Sequence, residues 1–270
     1  MKNPVSLRAL VTGATGGIGR ATCLALLASA RARSQQLKIA VAASQPGAAL
    51  DALVAELQAA GAQATGLAAD LADAANCEQL AQQAISACGG LDVLVSNAGV
   101  VRSQALATLS VTDWDLVFQI DARATWLLAR CAYPALAESR GAIVAVGSVS
   151  GLFPFPGLGA YSPAKAALIM LCRQLAQEWA GDGIRVNTVS PGLVRTPLTE
   201  PVYRDEEVLQ RRNAAVPLGR IGTPEDVASA IVYLCGPGSG YVTGIDMRLD
   251  GGLCDHKLGN IPGKPGAQST

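Results

Sequence analysis

Leu7-Arg8-Ala9-Leu10-Val11-Thr12 runs straight into Gly13-Ala14-Thr15-Gly16-Gly17-Ile18-Gly19, and Ile18 opens a stretch of helical period that continues to Ala28. The first six residues are mostly apolar and suit a buried strand, whereas the next seven hold too much glycine for a strand or helix interior. Glycine permits a tight turn and lets backbone amides and a helix N-terminus approach a pyrophosphate. The spacing does not meet the general G-x-G-x-x-G pattern. By that rule alone the segment is a glycine-rich strand-to-helix turn.

The same alternation continues along the chain. Short apolar, β-branched runs span Leu7 to Thr12, Ile39 to Ala43, Ala64 to Ala69, Val93 to Ser96, Ala142 to Ser148, Arg185 to Ser190 and Ile245 to Leu249. Helical periods lie between them at Ile18 to Ala28, Leu50 to Ala60, Gln79 to Ala87, Trp114 to Arg130, Ala164 to Ala180 and Pro224 to Leu234. Strands separated by helices imply a parallel sheet covered on both faces, so the expected fold is a single-domain α/β, Rossmann-like, doubly wound sheet of about seven strands. Thr223, Pro224, Glu225 and Asp226 suit the N-terminus of the last helix. Arg31 to Gln36 reads as a polar surface excursion. Leu198 to Val216 is a polar, partly helical insert, placed for a lid over about 195–217. The domain is expected to span 1–257, with 258–270 a Gly/Pro-containing tail.

Composition narrows the function. With 270 residues, half of them apolar, and a mean hydropathy of +0.30, the chain can bury a large core. Lys plus Arg and Asp plus Glu number 21 each with no block of like charge, which speaks against nucleic acid or an anionic membrane and for a small-molecule substrate. The 7 cysteines are scattered, odd in number and never in a C-x-x-C pair, so neither a disulfide framework nor a thiolate metal site is expected. MKNPVSLRALVTGATGG leaves no room for a signal peptide, and no apolar run approaches a membrane span, so the expected location is the cytoplasm. His256 is the one histidine and lies near the polar C-terminal segment. A Ser-His-Asp hydrolase and a His-ligated metal centre are both disfavoured, and proton transfer falls to other groups.

Tyr161 and Lys165 can do that work. Four residues apart at a helix start, they share a face, so an ammonium can lie beside a phenol and stabilise a phenolate. An unperturbed tyrosine titrates near pH ~10, too high for a base at neutrality, and a neighbouring cation corrects this. Such a spacing also occurs on ordinary solvated helix faces. Its setting gives it weight: TGATGGIG from Thr12, Asn97-Ala98-Gly99 after the fourth strand, Ser148 after the fifth, Tyr161-Ser162-Pro163-Ala164-Lys165, and Pro191-Gly192 after the sixth. In this order, over roughly Ser6 to Gly252, the chain strongly resembles the short-chain dehydrogenase/reductase family.

The resemblance implies a nicotinamide cofactor and a role for each motif. Tyr161 donates or removes the substrate proton, Lys165 supports the tyrosine and binds the nicotinamide ribose, and Ser148 hydrogen-bonds the substrate oxygen. Gly13, Thr15, Gly17, Ile18 and Gly19 would hold pyrophosphate. Ser44, Asp70 and Leu71 would meet the adenosine end, and Asn97, Ala98 and Gly99 would support the cofactor-side sheet edge. Pro191, Gly192, Val194 and Thr196 would hold the nicotinamide amide. Strand carboxyl ends are where open α/β sheets bind ligands. Ser150 competes with Ser148, and Ser148 itself would also suit a turn or cap.

Two positions depart from the family pattern. Where members usually carry an asparagine that helps hold a relay water, Phe118-Gln119-Ile120-Asp121-Ala122-Arg123 offers Asp121; a carboxylate near Lys165 would raise the lysine pKa and alter the pH profile. NAD users generally end the second strand with an acidic residue, but here it ends Ala42-Ala43-Ser44-Gln45, and Gly16 stands where NADP users often carry a basic residue. The balance leans toward NADP over NAD, with Arg31 and Arg33 as groups that could swing in. The substrate pocket is expected from Val101, Arg102, the Gly151 to Gly157 loop, Leu193 and the Leu198 to Tyr203 lid. Phe153, Phe155, Leu193, Val202 and Tyr203 suggest an apolar or aromatic secondary alcohol or ketone. A 3-oxoacyl thioester substrate is the alternative, with Arg102, Arg195 and Arg204 meeting its carrier. A non-catalytic, cofactor-sensing protein is the other. Trp114 to Arg130 and Ala164 to Ala180 are apolar enough around their circumference for a homo-oligomer, a tetramer or dimer.

Overall fold

Seven parallel strands form one sheet in the order β3-β2-β1-β4-β5-β6-β7. They are β1 Ser6–Thr12, β2 Gln36–Ala43, β3 Gln63–Ala68, β4 Val93–Ser96, β5 Ala142–Val146, β6 Arg185–Pro191 and β7 Asp246–Leu249. The computed structural model describes residues 6–197 and 199–260. Parallel neighbours need long crossovers, and helices supply them: α1 Gly17–Ala32, α2 Ala48–Ala59, α3 Ala74–Cys88, α4 Val111–Phe118, α5 Ala124–Ser139, α6 Tyr161–Trp179, α7 Glu200–Tyr203, α8 Glu206–Ala215 and α9 Pro224–Cys235.

The pleat sorts the strand side chains between two cores. Ala9 and Val11, Ile39 and Val41, Val93 and Val95, and Val144 and Val146 enter one core with Leu26, Leu57 and Ile231. Leu10, Ala40, Leu94, Ile143 and Ala145 enter the other with Leu80, Leu128, Leu136 and Leu168. Period-2 alternation therefore buries both faces of the central strands β1, β2, β4 and β5, which is why these segments read as continuous apolar runs. Register is close at the centre: Val11 lies opposite Val41 on β2 and Val95 on β4. The chain reverses its direction of winding between β1 and β4, and a crevice opens there at the strands' carboxyl ends.

Several boundaries differ from expectation for physical reasons. Helix α1 runs to Ala32, absorbing the start of the supposed excursion. Helix α3 begins at Ala74 because Asp73 caps it, its side chain accepting from the Ala75 amide at 2.8 Å. The expected Trp114 to Arg130 helix is continuous, from α4 into α5, but widens between them into a π-helical turn, Gln119–Arg123. At α9 the expected cap is a full capping box between Thr223 and Asp226. The lid contains α7 and α8; Leu198 lies outside the described residues. A 3-10 turn, Leu253–Asn260, takes in the first residues of the expected tail, and the rest of 258–270 lies outside the described residues. Among the described residues no helix is long and apolar enough to cross a membrane.

Candidate functional site

The glycine turn after β1 is shaped by contacts only glycine allows. Gly13 takes φ of +60°, and a Cβ there would lie 2.9 Å from the Ala98 Cα. A Cβ on Gly19 would lie 2.2 Å from the Gly13 carbonyl oxygen. Asn97 clamps the turn from β4: its Nδ2 donates to the Thr12 and Gly13 carbonyls at 3.0 Å each, while the Thr12 hydroxyl accepts from the Asn97 and Ala98 amides at 3.0 and 3.1 Å. The first residues of the lid close over the same turn, since a Cβ on Gly17 would stand 3.1 Å from both Pro197 and Thr196. Amides and a helix N-terminus thus face an open groove, a setting that suits phosphate.

That groove opens into a cavity of about 480 Å³ lying across the carboxyl ends of the strands. Ser44 and Asp70 stand at one end; Ser148, Tyr161, Lys165 and Tyr203 stand at the other. Tyr161 is the first residue of α6, so its side chain projects from the helix start, and Lys165 follows one turn on. Lys165 is 3 % exposed, with Nζ 5.6 Å from the Tyr161 ring centre and donating to the Val146 carbonyl at 2.9 Å. The Asp121 carboxylate, 1 % exposed, stands 3.2 Å away as an ion pair, its other oxygen accepting from the Val100 amide at 2.8 Å. Burial disfavours the Lys165 charge, but Asp121, with Tyr161, outweighs it and leaves the lysine pKa raised. The π turn carries Asp121 to this point, and Gly99 makes room: a Cβ there would stand 3.1 Å from Asp121 and 3.4 Å from the ammonium.

The cavity wall includes Gly13, Thr15, Gly17, Ile18, Ser44, Asp70, Leu71, Asn97, Ala98 and Gly99, together with Ser148, Tyr161, Lys165, Pro191, Gly192, Leu193, Val194, Thr196 and Tyr203. Gly19 and Asp121 stand behind it, one packed against the glycine turn and one against Lys165. Several expected substrate residues lie off the wall, Arg102 among them. Ser150 sits inside the 3-10 turn Val149–Gly151, which is pressed onto α6, its amide donating to the Ser148 hydroxyl at 3.1 Å. Phe153 and Phe155 follow that turn without lining the cavity, and Phe155 is 55 % exposed. Val202 is on the outer side of α7, while Tyr203 beside it is buried. Arg31 and Arg33 are also far from the cavity, bonded to the Ala60 carbonyl and to Ser29 at the other end of α1. The wall adds residues with no motif of their own, among them Val100, Ile120, Thr199 and Arg212. Only the lid's fold brings Arg212 there. Among the described residues no group of three His, Cys, Asp or Glu could hold a metal.

Comparison with known proteins agrees with this layout. Residues 13–254 match a family model described as enoyl-(acyl carrier protein) reductase. A 3-oxoacyl-[acyl-carrier-protein] reductase of Synechocystis sp. is 36% identical over 247 residues, covering 91% of this chain and 96% of that protein. A tropinone reductase homologue of Arabidopsis thaliana is 37% identical over 251 residues, 92% of this chain and 79% of its own. Among solved structures, the Pseudomonas aeruginosa RhlG/NADP active-site complex superposes with a TM-score of 0.84 at 31% identity, covering 92% of this chain and 96% of that one. With a sheet and motif order in agreement, the chain belongs to the short-chain dehydrogenase/reductase family, NAD(P)-dependent enzymes acting between CH-OH and C=O.

Proposed function

We propose that this enzyme interconverts a secondary alcohol and its ketone on a compact, largely apolar substrate, with Tyr161 as the general acid and base. The observation that carries this is the convergence of Ser148, Tyr161 and Lys165 on one cavity wall, with Lys165 held by Asp121 and Val146. The glycine cradle and the groove beside it fit a dinucleotide, held by Gly13, Thr15, Gly17 and Ile18 at its phosphates, Ser44, Asp70 and Leu71 at its adenosine, and Pro191, Gly192, Val194 and Thr196 at its nicotinamide. When bound, the nicotinamide supplies or accepts the hydride. Tyr161 gives its proton to the carbonyl oxygen in reduction and takes it from the alcohol in oxidation. Lys165 stabilises the phenolate, and Asp121 partly offsets that charge. Ser148 holds the substrate oxygen in place with a hydrogen bond.

Two finer choices follow from the wall. No carboxylate stands at Ser44 to repel a 2′-phosphate, and RhlG is a relative solved with NADP, so NADP is the preferred cofactor. Val100, Val101, Leu193 and Tyr203 give the substrate end an apolar wall. The 3-oxoacyl reductase among the relatives supports a thioester substrate as second reading. Against it, Arg102 and Arg195 are engaged with Asp113 at 3.5 Å and Glu200 at 2.8 Å, so they are less free to meet a carrier, while Arg204 is exposed and pairs with no carboxylate among the described residues. We also infer a cytoplasmic homo-oligomer packed through α4, α5 and α6.

The test is an absorbance screen at the nicotinamide band, with NADPH and NADH against cyclic and aryl ketones and a β-ketoacyl thioester. Ketone reduction with NADPH favoured is expected. Turnover of the thioester alone would replace this reading by the second one, and activity untouched by Tyr161→Phe would remove both.

A further inference from the structure

Five arginines lie in or just after the lid; three have carboxylate partners, and a fourth, Arg204, is exposed and off the cavity wall. Arg195 binds Glu200 with both oxygens engaged, Arg211 pairs with Glu207, and Arg220 pairs with Asp226 at 2.6 Å. Arg212 differs. It is half-buried, lines the cavity, and among the described residues pairs with no carboxylate. Its guanidinium lies over the buried Tyr203 ring, 5.3 Å from ring centre to Cζ, and Nη1 donates to the Tyr203 hydroxyl at 3.3 Å. A ring face and one neutral hydroxyl orient a guanidinium without neutralising it, and most of its five N–H donors are left to other partners.

Charge on the rest of the wall points the same way. Lys165, the other cation at this end, already has its counter-charge in Asp121. Asp70, the carboxylate on the wall, stands at the opposite end, where its Oδ1 accepts from the Ala72 amide at 3.0 Å. The substrate end therefore carries one uncompensated positive charge in a partly desolvated, otherwise apolar setting, where an unpaired charge is unfavourable until an anion arrives. Guanidinium also matches a planar carboxylate with two parallel hydrogen bonds.

Resting on the ketone reading above, we propose that Arg212, positioned by Tyr203, is an anion-recognition site, and that the substrate is a ketone or secondary alcohol bearing a carboxylate at the end remote from the reacting carbon. Val101 and Leu193 would then contact the apolar body, with Tyr161 and Arg212 at its two ends.

The probes are para-acetylbenzoate and its methyl ester, which share the reacting ketone and differ in the remote charge. For the native enzyme kcat/KM should favour the acid. In Arg212→Leu the acid-to-ester ratio should fall roughly 10- to 100-fold, the range for loss of a charged hydrogen bond, through KM more than kcat. Arg212→Lys should keep part of the preference, and Arg211→Leu, which changes a neighbouring exposed arginine, should keep all of it. A ratio unmoved by Arg212→Leu overturns the proposal, as does a rise in cofactor KM with the ratio intact, which would assign Arg212 to the cofactor phosphates. Calorimetric binding of para-acetylbenzoate, compared between native enzyme and Arg212→Leu, separates the two levels. Arg212-dependent binding without turnover would reject the ketone chemistry and keep the anion site. Turnover of both probes without selectivity would do the reverse.

Discussion

At the residue scale the chemistry depends on how one buried ammonium is held. Lys165 lies under Tyr161, and its Nζ is bonded to Val146 and paired with Asp121, so its position is set before any ligand binds. Tyr161→Phe removes the proton donor and keeps the ring, so kcat should fall roughly 100- to 10,000-fold with little change in Tm; steady-state rates beside a thermal melt check both. Asp121→Asn acts through charge alone. Because Asp121 raises the Lys165 pKa above its ordinary 10.5, the stability from the pair is complete below that value and is lost as pH climbs through the raised one. The Tm gap between native enzyme and Asp121→Asn should therefore be widest near neutrality and close at strongly alkaline pH. The alkaline limb of kcat should also move to lower pH in the variant, and a limb that stays in place would show that Asp121 does not govern this ammonium. Ser148, Tyr161 and Lys165 were legible in the sequence because their types and spacing are unusual together. Arg212 was not, since a charged residue on a polar helix looks like any solvated one until the lid folds.

At the scale of elements, the glycine turn and the π turn differ in how they are written. The turn announces itself because glycine is needed wherever a Cβ would strike the backbone, and Gly19 is the tightest case. Gly19→Ala should destabilise the fold by about 1–3 kcal/mol, the ordinary cost of overpacking, and weaken nicotinamide binding. Gly181→Ala, where nothing lies within 4 Å, should do neither. Denaturant melts and cofactor fluorescence titration of the two variants decide this. The π turn Gln119–Arg123 left no comparable mark, because one wide turn within an apolar helical stretch barely disturbs the period read from sequence. Yet it is what carries Asp121 against Lys165. The aromatic loop is a different case: Phe153 and Phe155 are apolar enough for a pocket, but neither lines this cavity, and Phe155 is exposed. Hydrophobicity says that a side chain avoids water, not which surface covers it.

At the scale of the whole molecule, part of that uncovered surface lies on three helices next to one another in the chain. Trp114 on α4, Trp126 on α5 and Met170 on α6 are exposed, as is Phe155 beyond β5. The inward faces of α5 and α6 hold Leu128, Leu136, Leu168 and Leu175 in the core, and their outward faces add Trp126 and, on α6, Ala166, Ala167 and Met170 among polar neighbours. Exposed apolar side chains on a helix can be covered by a second partner, and a matching patch on an identical chain is the simplest one, since a two-fold axis lets each face cover its copy. Met170 tests this cleanly. At 59% exposed, it gives little to the fold of an isolated subunit, so a charge there should be tolerated in the monomer and costly in an interface. Native protein should sediment as a dimer or tetramer, and Met170→Arg should shift the distribution toward smaller species at the same concentration with its circular dichroism unchanged. Because α6 also begins with Tyr161 and carries Lys165, dissociation should lower activity as well, to a degree that follows the fraction of assembled species across a dilution series. A native protein that sediments as a monomer, or an arginine variant that assembles as before, would show that this face meets solvent instead.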